Sequence, residues 1–143
     1  MSAAPRTMVL DNETVQALLD PTHHKHRAVL AHLEVRNQRQ RRRRVSLQVL
    51  VPVAVRVEAG WNRTEATAAD INHISAAIDV DLQRAGADRA AQLRKTADVS
   101  VVDATVGQAA EAAAQPAVIL TSDTDDMTRL AATLEGNVRV VGI

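Results

Sequence analysis

Four short apolar runs, at residues 7–10, 45–50, 117–121 and 138–141, are separated by longer stretches in which apolar side chains recur at helical spacing. Strands that alternate with helices bury both faces of a sheet, so the chain is expected to be an α/β three-layer sandwich, a mostly parallel central sheet flanked by helices. After the first run, Asp11-Asn12-Glu13-Thr14 supplies a helix cap and first-turn acids, and Asp20-Pro21 ends the helix striped by Val15, Leu18 and Leu19. A second helix is expected from His24 to about Gln40, running out into arginines. Residues 45–50 alternate apolar and polar before turning apolar, and Pro52 opens a helix expected to continue to Asn62. Residues 66–95 read as mostly helical, broken near 78–82 by a turn or short strand and again near Gly86. A helix of small residues then spans 101–114, Ser122-Asp123 caps a helix through Met127, Leu130 and Leu134, and Gly136-Asn137 turns into the last strand.

The length, 143 residues, suits one domain with an ordered core at about 7–141. With no cysteine, the chain has no disulfide, thiolate metal site or cysteine nucleophile, which fits a reducing compartment, and the expected location is cytoplasmic. The first ten residues lack the apolar region of a signal peptide, and no apolar run approaches the roughly 20 residues of a membrane span. Phe and Tyr are absent and Trp61 is the one aromatic residue besides histidines, which removes the stacking platform by which many proteins read single-stranded bases. Trp61 itself reads as a packing residue of its helix.

A formal net charge of zero conceals two opposite fields. Residues 21–44 hold eight basic residues and one acid, whereas residues 98–126 hold six acids and no Lys or Arg. The run Arg39-Gln40-Arg41-Arg42-Arg43-Arg44 reads either as a solvated helix end or as a phosphate-attracting patch, a task that suits the planar, bidentate guanidinium. His23, His24, His26 and His32 share that segment, but their spacing matches no ligand motif.

Four acids fall where α/β sheets gather ligands, beyond the carboxyl ends of strands and on the helices that follow. Asp11 and Asp123 each follow an apolar run, Asp103 sits near the start of the small-residue helix, and Glu58 interrupts an apolar helix, where a carboxylate is costly unless partnered. Each has an ordinary structural role as well: helix caps for Asp11 and Asp123, a helix-dipole contact for Asp103, and an ion pair with Arg56 or Arg63 for Glu58. Were the four to converge, they would repel one another unless a cation neutralised them, and all-oxygen ligation points to Mg2+ or Mn2+.

The stretches Val9-Leu10-Asp11-Asn12-Glu13, the Glu58 helix, Val101-Val102-Asp103-Ala104-Thr105 and Ile119-Leu120-Thr121-Ser122-Asp123-Thr124-Asp125-Asp126 together resemble a PIN domain, most closely the VapC-type ribonuclease toxins of bacterial toxin–antitoxin pairs. The resemblance runs from Thr7 to Val141. It implies a PIN-like sandwich and a metal-dependent endoribonuclease that leaves 5′-phosphate and 3′-hydroxyl ends. It also implies Asp11, Glu58, Asp103 and Asp123 as the catalytic acids, with Asp11, Asp103 and Asp123 as metal ligands and Asp126 as a further candidate. Thr121 or Ser122 would be the accompanying hydroxyl, an antitoxin protein the partner, and a homodimer the candidate assembly. Because an acidic pocket repels RNA, Arg39, Arg41, Arg42, Arg43 and Arg44 are expected to bind the substrate at its rim. The long arginine run and the Gly60 context of Glu58 depart from the commonest family pattern.

Two other function classes are open. One is a PIN-like module that binds RNA or protein without cutting. The other, a phospho-acceptor domain, is disfavoured because no lysine follows the last two apolar runs.

Overall fold

The computed structural model describes residues 4–43 and 46–143, apart from the Arg43 side chain. Five strands form one sheet: β1 (Thr7–Leu10), β2 (Gln48–Pro52), β3 (Ile78–Val80), β4 (Ala117–Thr121) and β5 (Val138–Gly142). Their order is β3-β2-β1-β4-β5 and every pairing is parallel, with Thr7 opposite Gln48 on one side and Ala117 on the other. Every residue of β1 and β4 is buried, as strands covered on both faces require. That burial explains why these two read as continuous apolar runs.

The helices are α1 (Asn12–Leu19), α2 (His26–Arg43), α3 (Val53–Ala59), α4 (Ala69–Ser75), α5 (Arg84–Ala97), α6 (Val101–Ala112) and α7 (Thr124–Ala131), with a 3-10 turn at Ala66–Ala68. Adjacent residues of a strand point to opposite faces. Thr7 Oγ1 donates to the Ala114 carbonyl just past α6, while Met8 lines a groove with Ala28 and Val35 of α2, so α6 and α2 cover opposite faces of the sheet. The result is the three-layer sandwich expected. α6 crosses β1, β2 and β4, and its Gly107 faces Leu130 of α7 so closely that a Cβ there would lie 2.9 Å from Leu130 Cδ2. The close approach is thus to a side chain of α7.

Local chemistry moves several boundaries. The second strand starts at Gln48, whose N–H opens the ladder on the Arg6 carbonyl, while the Leu47 carbonyl accepts from Arg36 Nε and Gln40 Nε2 of α2; Val45, the expected start of the strand, lies outside the described residues. Pro52 closes β2 and caps α3, and α3 stops at Ala59, short of Asn62, because Gly60 adopts the left-handed conformation at φ 71°. The interruption near 78–82 is the edge strand β3. Gly86 does not break the chain; it is buried within α5, where a Cβ would meet the Gln108 side chain at 3.1 Å.

Candidate active site

In a parallel sheet all carboxyl ends lie along one edge. Here β2 follows β1 on one side and β4 joins it on the other, so a crevice opens between the ends of β1 and β4, the switch point where α/β folds bind ligands. Asp11 stands at the end of β1 and caps α1, its Oδ1 accepting from the Thr14 N–H at 2.9 Å. Asp123, two residues past β4, caps α7 by accepting from the Asp126 N–H at 3.1 Å. Ser100 caps α6, its Oγ accepting from the Asp103 N–H at 3.1 Å, and so seats Asp103 in the first turn of that helix. Glu58 comes from the last turn of α3.

Asp11, Glu58, Asp103 and Asp123, from four separate segments, line one cavity of about 350 Å3 together with Asn12, Glu13 and Ser100. The convergence expected of the four acids is therefore present. Asp11 is buried, Asp103 half-buried, and Glu58 and Asp123 exposed at the mouth. The expected desolvation of Glu58 does not occur, and its expected arginine partners, Arg56 and Arg63, both pair with Asp79 instead. Helix α3 turns Glu58 to the outside while burying Val55.

Burial pushes the Asp11 carboxyl above its ordinary 3.8, against hydrogen bonds from Thr121 and Thr14 that hold it down. Burial likewise raises Asp103, and the charges of Asp11, Asp123 and Asp126 add to the rise. Such a field invites a cation or a proton. Among the described residues, however, no three Asp, Glu or His side chains close around a single metal position.

The two hydroxyls divide their roles. Thr121 Oγ1 donates to Asp11 Oδ2 and accepts from the Asp123 N–H, tying two of the acids together. Ser122 Oγ donates instead to Glu13 Oε2, and the other Glu13 oxygen lies 3.8 Å from His23 Nε2. Glu13 was not legible as a cavity residue, since a first-turn acid after a capping Asp already has an ordinary role in sequence. Asp126 is not part of the lining; it pairs with Arg129 at 2.9 Å.

No family model and no curated protein matches the sequence. Among solved structures, the chain is similar to VapBC2 from Rickettsia felis bound to a DNA fragment from their promoter, at 12% identity and a TM-score of 0.61 over 96% of this chain and 98% of that one. It is also similar to FitAB bound to the IR36 DNA fragment, at 16% identity and a TM-score of 0.59 over 94% of each chain. The chain has a PIN-like fold.

The arginine run stands away from the acids. In this PIN-like chain α2 ends beside Leu47, ahead of β2, so Arg39, Arg41 and Arg42 are exposed at the amino edge of the sheet, the edge opposite the acid cavity. A four-residue strand is about 13 Å long, and that length separates the two edges. The arginines therefore do not rim the acids; the Arg43 side chain and Arg44 lie outside the described residues. The histidines divide too: His23 faces Glu13, His24 stacks on His23 with centroids 4.8 Å apart, and His26 Nδ1 meets the Ala17 carbonyl at 2.7 Å. Trp61 is buried and packed under Arg63, as a packing residue should be.

Proposed function

We propose that this chain is an endoribonuclease using Mg2+ or Mn2+, and the toxin member of a toxin–antitoxin pair. The observation that carries the reading is the convergence of Asp11, Glu58, Asp103 and Asp123 on one cavity at the sheet's switch point. The donor set suits the metal: it is all oxygen, and Mg2+ keeps several of its waters and takes only one or two protein carboxylates, so no closed cage is required. Asp11, Asp103 and Asp123 would hold the ion, while Asp126 is occupied by Arg129 and would join only after releasing it. When bound, the metal would lower the pKa of a water and stabilise charge on the phosphate.

The chain's own groups do the positioning. Thr14 N–H and Thr121 Oγ1 hold one oxygen each of Asp11, which fixes the carboxylate plane. Thr121 also holds the backbone of Asp123, so the ends of β1 and β4 keep one geometry. Glu58, exposed and lining the cavity and in no ion pair among the described residues, would accept a proton from an attacking water.

The similar structures are VapBC2 and FitAB, toxin–antitoxin complexes on DNA, which supports an antitoxin protein as partner; the acid-lined cavity favours the toxin member for this chain. RNA as substrate and a cytoplasmic location belong to the same proposal, as does a homodimeric assembly. Among the described residues no helix is long and apolar enough to cross a membrane. The second reading is a PIN-like module that binds without cutting, and it takes its support from the fact that among the described residues no three acids gather around one point.

Expressing the wild type and Asp11→Asn in a bacterium and mapping new RNA 5′ ends decides between them. Asn keeps the helix cap but removes the charge, so cleavage should fall at least a hundredfold with the fold intact, and chelator should abolish wild-type cleavage. Cleavage that survives chelator, or an Asp11→Asn variant as active as wild type, overturns the nuclease reading.

A further inference from the structure

A groove of about 730 Å3 is remote from the acids. It lies on the α2 face of the sheet, toward the amino edge. Met8, Val118 and Val141 form its floor and Val35, 46% exposed, stands in its wall. Among the described residues its charged or ionisable lining is His32, Arg36, Arg39 and Arg139, with no acid. Arg36 is the telling member. It is 8% exposed, and among the described residues its guanidinium donates to neutral acceptors, the Leu47 carbonyl at 2.9 Å and Asn37 Oδ1 at 2.7 Å. Among the described residues no carboxylate pairs with it, although a buried cation without a counter-charge is costly. Burial accordingly pulls the Arg36 pKa below its usual value.

Beside the groove runs β5, an edge strand whose outer backbone groups face no other strand. A second copy docking by this same face would set arginine against arginine, because a two-fold axis brings a patch onto itself. The arginines could meet RNA phosphate, but the floor of Met8, Val118 and Val141 is aliphatic and carries no ring on which a base could stack.

We infer that this groove docks an acidic, apolar-faced segment of a protein partner, its apolar side chains on Met8, Val35, Val118 and Val141 and a carboxylate at Arg36 and Arg39. This surface is distinct from the acid cavity and does not depend on the nuclease reading. In the toxin–antitoxin reading it would be a contact made away from the acids.

The test uses the full chain, labelled with 15N, and three probes: an amphipathic peptide of Leu and Glu, the same peptide with Lys for Glu, and a 12-nucleotide oligouridine. The acidic peptide should shift the amides of Ala31, Val35, Met8 and Val141 while leaving those of Asp11 and Asp103 in place. Its affinity should fall at least tenfold in Arg39→Glu and in Val35→Asp, both at exposed positions, with unchanged thermal melting confirming the fold. The proposal is overturned if the lysine peptide binds as well as the acidic one, if oligouridine shifts the same amides more strongly, or if none of the probes shifts them at millimolar concentration. Sedimentation showing a dimer that Val35→Asp dissociates would also overturn it, since a second copy would then occupy the groove.

Discussion

The two ends of the sheet hold charge in opposite ways. At the carboxyl edge, acids from four segments face one cavity, and burial together with mutual repulsion makes Asp11 and Asp103 reluctant to ionise. At the amino edge, the buried guanidinium of Arg36 has only neutral acceptors among the described residues. In both places charge of one sign is held without its counterpart. The contrast is with the Arg89–Glu111 pair on the helical layer, where Nε meets Oε1 at 2.7 Å, Nη2 meets Oε2 at 2.8 Å, and the Arg89 hydrogen bond holds Glu111 below its ordinary 4.5. Paired charge is structural here, and the unpaired charge is what the proposed cation and the proposed acidic partner would neutralise.

The largest effect of breaking that contrast is expected at Asp103. A carboxyl raised in the folded state keeps protons that the unfolded chain has released, so stability falls as pH rises from 3.8 through the folded value. Asp103→Asn should remove that slope and, in chelator at pH 7, stabilise the fold by on the order of 1 kcal/mol while cleavage is lost. Glu111→Gln is the mirror image: a lowered carboxyl contributes stability above its unfolded value of 4.5 that is lost as pH falls through the folded one. This variant should therefore lose about 1 kcal/mol at pH 7 and less at pH 4. Urea unfolding of the three proteins from pH 4 to 7 reads both signs; parallel profiles would end the contrast.

A smaller effect is expected at the other edge. Arg36→Met keeps an unbranched side chain and removes the lone charge, and Gln40 Nε2 still serves the Leu47 carbonyl, so stability should change by less than about 1 kcal/mol while the acidic peptide loses its hold. A loss of several kcal/mol on thermal unfolding would show that Arg36 is instead an ordinary structural cation. Smallest of all is Arg41→Gln with Arg42→Gln. Both residues are exposed and stand at the edge opposite the acids, so stability should shift by under about 0.5 kcal/mol and the affinity for RNA, measured with Ca2+ in place of Mg2+ at two salt concentrations, by less than twofold. A steeper loss of affinity and a flatter salt slope would return the run to the RNA-binding surface.

The sequence alone determined the layered α/β class, because strands buried on both faces must be apolar throughout and helices must carry a stripe, and both patterns are written locally in residues 7–10, 117–121 and 12–19. It also determined that Asp11 and Asp123 cap helices just beyond strand ends, a role set by neighbours a few residues away. What the tertiary structure decided was everything that depends on direction across the sheet. It placed Glu58 outside rather than in the core, engaged Ser122 with Glu13, and carried the arginines to the edge away from the acids, because α2 runs back along the sheet to end ahead of β2. Periodicity fixes which face of a helix is buried, but the end of the molecule that a helix terminus reaches is set by packing between residues far apart in the chain.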